Sequence, residues 1–389
     1  MSSKKTTNKK NILLILVLII IAGSIYYLNS QKAAVSETGT ENIANTEGKT
    51  DIKAPETYVK DEEAIRQKEV KFEYAPELTG IEGYINTDNM LTVGSLKGKV
   101  VLVDFWTYTC INCIRTLPYL KSWHDKYKDD GLVIVGVHTP EFEFEKDYEN
   151  VKEAAEKYGL KYAIVQDNSY ATWRAYKNRY WPHKYLIDID GFIRYDHIGE
   201  GKYEETEKAI QALLNERMGK KKIEEGMAKP SDIIDVDFGK VGTPEIYLGY
   251  GFTRGNFGNP EGLPAEQIVG YKAPVLVKPN NVYLEGRWKV NKDNIELIGD
   301  EGRIILGYDA KAVNIVANSE QGSEIESFVD TKPLNESKAG ADIEIISGKS
   351  IARINEERLY NLVEYEYGAH LLEFRIKGKG FKLYTFTFG

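Results

Sequence analysis

The run "NILLILVLIIIAGSIYYL", residues 11–28, contains no charged side chain. As a helix it is about long enough to cross a bilayer core of ~30 Å. Lys4, Lys5, Lys9 and Lys10 precede it, and Tyr26 and Tyr27 lie at its far end. Basic residues on the near side and aromatics at the interface predict a membrane-spanning helix with a cytoplasmic tail over 1–10 and an extracytoplasmic body. A cleaved signal peptide is the competing reading. The following "NSQKAAVSETG" has no clean small-x-small site directly behind the run and no cysteine for lipid attachment. Residues 29–69 are polar, mixed in charge and short of large apolar side chains, so they bury too little surface to offset the entropy of ordering. They read as a flexible tether. As a coil of about 40 residues it would span on the order of 35 Å.

From residue 70 the pattern alternates between two periods. "KGKVVLVDFW" (97–106) is a turn followed by a continuous β-branched run, the pattern of a central strand buried on both faces. "LPYLKSWHDKYKDDG" then places Leu117, Leu120, Trp123, His124 and Tyr127 at helical spacing, with Gly131 as a stop. "LVIVGVHTP" is a second buried strand, "EKDYENVKEAAEKYG" a helix ended by Gly159, "YAIVQD" a strand and "YATWRAYKNRY" a short helix. "HKYLIDIDGFIRYDHIG" reads as a hairpin turning at Asp190-Gly191, and "KYEETEKAIQALLNERMG" as a closing helix. Strands alternating with helices and ending in a hairpin predict a three-layer α/β domain over 70–218. Charged "GKKKIEEGMAKP" (219–230) reads as a linker. Over 231–389, short apolar segments separated by Gly, Asn, Asp and Pro predict an all-β sandwich, jelly-roll-like. "GYGFTRGNFGNPEGLP" (249–264) reads as a long loop within it.

The 389 residues suit two folded domains, and a net charge of -8 argues against nucleic-acid partners, which need a basic surface. Cysteine usage changes the picture more. Both cysteines of the chain, Cys110 and Cys113, lie in "DFWTYTCINCIRTLPYL", at a strand-to-helix junction. Cys-x-x-Cys in that place is the redox arrangement. Cys110 at the helix N-terminus faces unpaired N–H groups and the positive end of the helix dipole, which stabilise a thiolate. Cys113, one turn in, is placed to attack a mixed disulfide and release the partner. Three other readings compete. A structural disulfide closing so short a loop gains only roughly 2 kcal/mol. A zinc site needs three or four ligands, and His124, His138, His183, His197 and His370 show no paired spacing. Two unrelated buried thiols have no reason to sit three apart. The sequence thus calls for no metal and no cofactor beyond the Cys110–Cys113 pair itself.

"VVLVDFWTYTCINCIRTLPYL" resembles the thioredoxin superfamily, in particular its TlpA-like branch. "VGVHTPEFEFEKD", "DNSYATWRAYKNRYWPHKYLIDIDG" and "GEGKY" resemble the thioredoxin-like part of DipZ proteins, and the β region ending "LYTFTFG" resembles the carbohydrate-binding-module-like domain that follows it there. The resemblance implies a thioredoxin-like fold and protein thiol–disulfide exchange. Asp104 then matches the buried acid that helps deprotonate the second cysteine; burial raises a carboxyl's pKa toward neutrality and suits it to act as a base. A surface Asp is the plain alternative. Trp106 matches a tryptophan packed under the site, and Pro118 the proline of the active-site helix; both are supporting residues. Trp181-Pro182 matches the cis-proline that faces the cysteines and pairs with substrate, although a proline before a strand is also an ordinary turn residue. DipZ proteins carry a multi-span electron-transfer domain of the CcdA kind, and this chain has one apolar run. The resemblance therefore implies a separate CcdA-type membrane electron donor.

Two further readings are weaker. Glu141 and Glu145 in "HTPEFEFEKD" are either near the cysteines or on a solvated loop. In the β domain the resemblance implies glycan contact, with Tyr250, Phe252, Tyr271, Tyr283 and Trp288 as candidate aromatics, though most aromatics of a sandwich are core. Asn335 heads an Asn-x-Ser acceptor, which matters only in a glycosylating host. A second functional reading remains beside thiol–disulfide exchange: a surface binding protein that uses its β domain, with the α/β part as scaffold.

Overall fold

Residues 61–88, 90–219, 223 and 226–389 are described by the computed structural model. The basic tail (1–10), the apolar run (11–28), residues 29–60 of the predicted tether and five linker positions lie outside them. Among the described residues no helix is long and apolar enough to cross a membrane.

The last part of the predicted tether is helical. Asp61 caps α1 (Glu62–Glu69) by accepting from the N–H groups of Glu63 and Ala64, and acidic residues fill the first turn while Arg66 and Lys68 fill the last. Lys68 reaches Asp188 (2.9 Å), Asp190 (2.6 Å) and Glu216 (2.7 Å), which docks α1 on the hairpin of the α/β domain. That cluster is built across the fold, so a local reading of composition misses it.

Six strands form the first sheet: β1 (Gly83–Ile85), β2 (Val100–Trp106), β3 (Leu132–His138), β4 (Ala163–Gln166), β5 (His183–Ile187) and β6 (Ile193–Ile198). Their spatial order is β1-β4-β3-β2-β5-β6. The β2, β3 and β4 trio is parallel, and the other three pairings are antiparallel. β2 is central and buried at every position. Its side chains alternate between two cores. Val100, Leu102 and Trp106 pack with Leu117, Leu120 and Trp123 of α2 (Ile111–Tyr127) and with Val151 of α3 (Tyr148–Lys157) and Ile210 of α5 (Tyr203–Met218). Val101, Val103 and Phe105 face the opposite core with Leu91, Leu96 and Tyr176, the last capping the short α4 (Ala171–Ala175). The result is the thioredoxin-like three-layer fold. β1, only three residues long, is an edge strand that no periodic signal announces.

Residues of the predicted linker pack back onto this domain. Ile223 is buried in the α2-side core, and Ala228 donates its N–H to Glu207 at 2.6 Å.

The second region is all-β: β7 (Ile246–Tyr247), β8 (Ile268–Tyr271), β9 (Val282–Val290), β10 (Ile295–Leu297), β11 (Glu301–Asp309), β12 (Ala312–Asn318), β13 (Ser323–Val329), β14 (Lys332–Pro333), β15 (Glu344–Ile346), β16 (Lys349–Ile354), β17 (Arg358–Glu364), β18 (Ala369–Lys377) and β19 (Lys382–Phe388). In place of two separate sheets of a sandwich, these make one curled thirteen-stranded sheet. The turning point is β9. Val282–Glu285 pairs with β11, and Gly286–Val290 pairs with β8 and β10. Gly286 has φ +107, a conformation open to glycine, so the strand bends there. Both arms close on one core that contains Trp288, Ile304, Ile315, Phe374 and Phe386.

Of the proposed glycan-contacting aromatics, Trp288, Tyr271 and Tyr283 are buried. Phe252 packs against Phe142 of the α/β domain, with ring centroids 5.9 Å apart. Tyr250 is half-buried. Asn335 is exposed, and its side chain accepts from Ser337 at 2.9 Å.

Candidate functional site

β2 ends at Trp106, and the chain turns through Thr107, Tyr108 and Thr109 before α2 begins. Cys110 is the N-cap of α2, in an extended conformation. Its Sγ accepts the N–H of Cys113 at 3.2 Å, taking up one of the amides that a helix N-terminus leaves unpaired. Cys110 is half-buried and Cys113 fully buried, and both are free thiols. Burial, the neighbouring Cys110 sulfur and the charge of Asp104 all push the Cys113 thiol well above its ordinary range. The pair is therefore asymmetric, with one accessible sulfur held at a helix terminus and one protected sulfur whose ionisation needs help.

Asp104 supplies a candidate for that help. It lies on β2 with its side chain in the same direction as Leu102 and Trp106, toward the core that contains Cys113. It is 1% exposed. Burial raises its carboxyl to about 6, against a partial counter-effect from Lys184. Lys184 is equally buried and stands directly opposite Asp104 in the β2–β5 register. Its Nζ is 3.6 Å from Oδ1, an ion-pair distance too long for a hydrogen bond. The sequence reading does not single out Lys184. Its signal is the combination of two opposite charges, each inside an apolar strand, and it becomes legible only once strand pairing is known.

Trp106 is buried in the same core as Cys113. Gly136 pairs across from Asp104, and a Cβ there would stand 3.0 Å from Trp106 Nε1, so the glycine makes room for the indole. Beside Trp106, His138 is fully buried and held neutral, its pKa pushed down to about 3 by burial. Its Nε2 lies 3.2 Å from the Thr107 hydroxyl. Pro118 sits inside α2, where it has no N–H to donate to the i−4 carbonyl; the helix continues past it. The Trp181-Pro182 bond is cis. Trp181 Nε1 donates to the Thr139 carbonyl at 3.1 Å, and its ring lies against Trp173 at 4.3 Å. Both Cys110 and Trp181 pack at the edge of the α2-side core.

Glu145 is enclosed, where a solvated loop was the plainer expectation. Its Oε1 accepts from Thr109 Oγ1 at 2.5 Å, one residue before Cys110. Its Oε2 accepts the N–H groups of Glu141 (2.5 Å) and Phe142 (2.9 Å). Glu141 reaches the surface in part, but its carboxyl is desolvated and lies near Glu145, which together push it up to about 8. Its Oε1 accepts the hydroxyl of Tyr247 from the β domain at 2.7 Å. Arg115, a turn beyond Cys110, is also buried and is likewise missed by sequence reasoning. Among the described residues no group of three His, Cys, Asp or Glu is placed to hold a metal ion.

Residues 73–196 match the AhpC/TSA family, and residues 243–389 match the family described as a thioredoxin like C-terminal domain. Protein DipZ of Mycobacterium bovis is 37% identical over 322 residues, which are 81% of this chain and 43% of that protein. The chain thus spans less than half the length of that relative. Among solved structures, a thioredoxin-like protein in its oxidised form is 32% identical and covers 37% of this chain and 97% of its own, with a TM-score of 0.35. The thiol-disulfide oxidoreductase YkuV of Bacillus subtilis is 32% identical over 142 residues, 36% of this chain and 94% of that protein. With nearly all of that relative matched, the chain belongs to the thioredoxin-like family of thiol–disulfide oxidoreductases.

Proposed function

We propose that this chain is a membrane-anchored, extracytoplasmic thiol–disulfide oxidoreductase that reduces or isomerises protein disulfides through Cys110 and Cys113. The observation that carries the reading is the asymmetric pair: Cys110 half-buried at the N-cap of α2, with Cys113 buried behind it and electrostatically coupled to Asp104. In the first step the Cys110 thiolate attacks one sulfur of a substrate disulfide. A mixed disulfide forms, and the substrate's other sulfur leaves as a thiolate. In the second, Asp104 takes the Cys113 proton, and the Cys113 thiolate attacks Cys110 Sγ and expels the substrate's remaining thiolate. Two electrons pass to the substrate, and the pair becomes a disulfide. Trp181 and Pro182 form the substrate-facing edge of the site, with Trp106 and Pro118 supporting it. No cofactor beyond the pair enters the cycle.

Cys113→Ser tests the reading. It leaves Cys110 able to attack and removes the release step, so mixed disulfides with substrate proteins should accumulate on non-reducing gels. Failure to trap any protein or model disulfide, with Cys110 still open to alkylation, overturns it in favour of a binding protein with a thioredoxin-type scaffold.

The sequence of residues 1–28 supports the anchor and its orientation. Protease added to intact, wall-stripped cells should cut within the polar segment after the anchor and release a soluble body; a protected body overturns the topology. A separate CcdA-type membrane protein is the proposed electron donor, as the resemblance to DipZ proteins implies. Loss of that donor should move the pair from dithiol to disulfide in a thiol-trapping assay. A pair already oxidised in wild-type cells would instead assign an oxidase.

A further inference from the structure

The residues on either side of Cys110 are each gripped by contacts that end in the β domain. Beyond Cys110, Asn112 Oδ1 accepts from Arg115 Nη1 at 3.2 Å. The same guanidinium holds Glu200 Oε1 at 3.2 Å. Its Nη2 donates to the carbonyl of Phe388 in β19 at 3.3 Å, and its carbon lies 5.8 Å from the ring centre of Phe238. Arg115 is 3% exposed, so these acceptors stand in for part of the water it has lost, while its Nε is left without a partner among the described residues. Before Cys110, the Thr109 hydroxyl is held by Glu145, which also collects the amides of Glu141 and Phe142. Those two residues face the β domain. The Glu141 carboxyl accepts from Tyr247, and the Phe142 ring packs on Tyr384 at 5.0 Å and Tyr247 at 6.4 Å.

We propose that Arg115 and Glu145 are positioning residues through which the β domain clamps the Cys110–Cys113 motif, so that the redox balance of the pair is a property of the two domains together. The inference rests on the redox reading of the pair. Oxidation brings the two sulfurs to bonding distance, about 2.0 Å, so any adjustment falls on the turn that carries Cys110 and on the first turn of α2. Clamps at Thr109 and Asn112, immediately before and two residues after Cys110, resist that adjustment. A contact shifts an equilibrium only by as much as it differs between the two states. These two contacts act on the segment that moves, whereas a contact elsewhere on the domain does not.

The test uses the full chain equilibrated with the reduced and oxidised glutathione couple, with iodoacetamide alkylation of Cys110 as a second readout. Arg115→Met and Asn112→Ala should each change the dithiol–disulfide equilibrium constant roughly fivefold, which is about 1 kcal/mol. The double variant should match either single one, because both cut the same contact. Arg115→Lys should restore little, since a lysine lacks the forked donors that reach three acceptors at once. Glu145→Gln should shift the equilibrium separately and add to Arg115→Met. Should Arg115→Met not fold, Asn112→Ala and Glu145→Gln carry the test, since each leaves Arg115 and Glu200 paired. Folded variants that stay within twofold of the parent in both readouts overturn the inference, as do Arg115→Met and Asn112→Ala effects that simply add. A parent chain that exchanges nothing with glutathione overturns the redox reading itself, a result distinct from either.

Discussion

At the scale of single residues, the Asp104–Lys184 pair makes the most direct link between structure and pH. An isolated carboxyl buried on a central strand is driven toward its neutral form, and Lys184 offsets this only in part across 3.6 Å. The folded chain therefore holds the Asp104 proton up to about pH 6, while the unfolded chain releases it near 3.8. Between those values the folded state binds more protons, so this group's contribution to stability is fully present below about 3.8 and is lost as pH rises through about 6. On the scale of 1.36 kcal/mol per pKa unit the loss is about 3 kcal/mol. The same proton governs chemistry in the proposed cycle, because Asp104 is a base only above about 6. Release of the mixed disulfide should therefore accelerate as pH rises through that value. Asp104→Asn should abolish the inflection, slow release at pH 7 and flatten the stability profile between about pH 4 and 6. Rapid-mixing measurements of release and urea unfolding across that range check both. An unchanged inflection in the variant would remove Asp104 from the release step.

At the scale of elements, the periodic signal was sufficient wherever one segment's burial is settled by its own residues. β2 and α2 are examples: a β-branched run buried throughout, then apolar residues at helical spacing, all five of which the fold buries. The strand-to-helix junction and the placing of both cysteines followed from these alone. Features that depend on distant partners did not follow. Residues 62–69 look like tether because the three carboxylates that fix Lys68 lie more than a hundred positions away. Glu145 looks like a solvated loop residue because its side-chain donor, Thr109, comes from a different strand end. The curl of the β region at Gly286 is likewise invisible, since a glycine within a strand signals a bend without saying which strands flank it. Lys184 is intermediate: its burial follows from the apolar run around it, but its pairing with Asp104 follows only from the strand register. The cysteine pair and the buried Asp104 could thus be placed from the sequence, whereas Lys184 and Arg115 could not, because their partners come from other elements.

At the scale of the whole molecule, the two domains pack into one compact unit. Phe142 of the α/β domain is 2% exposed and sits in an apolar cluster with Tyr247, Val316 and Tyr384 of the β domain, with Phe144, Phe252 and Leu359 at its edge. Such a junction couples the stabilities of its two sides, because opening either domain exposes apolar surface of the other. The aromatic residues make the coupling measurable. Four of the five tryptophans, Trp106, Trp123, Trp173 and Trp181, lie in the α/β domain, and Trp288 alone lies in the β domain. Tryptophan fluorescence then reports mainly on the α/β domain, while far-UV circular dichroism carries the strand signal of the thirteen-stranded sheet. In the parent chain the two probes should give coincident urea transitions. Phe142→Ala removes the central ring at about 3–5 kcal/mol, and much of that loss falls on the junction. The variant should therefore unfold in two separated steps, with the fluorescence transition at lower urea. Because the Phe142 ring anchors the turn whose N–H groups hold Glu145, its loss should loosen the segment before Cys110 and raise the alkylation rate of that sulfur in conditions where both domains remain folded. Coincident transitions and an unchanged alkylation rate in the variant would mean that the ring fills space without joining the domains.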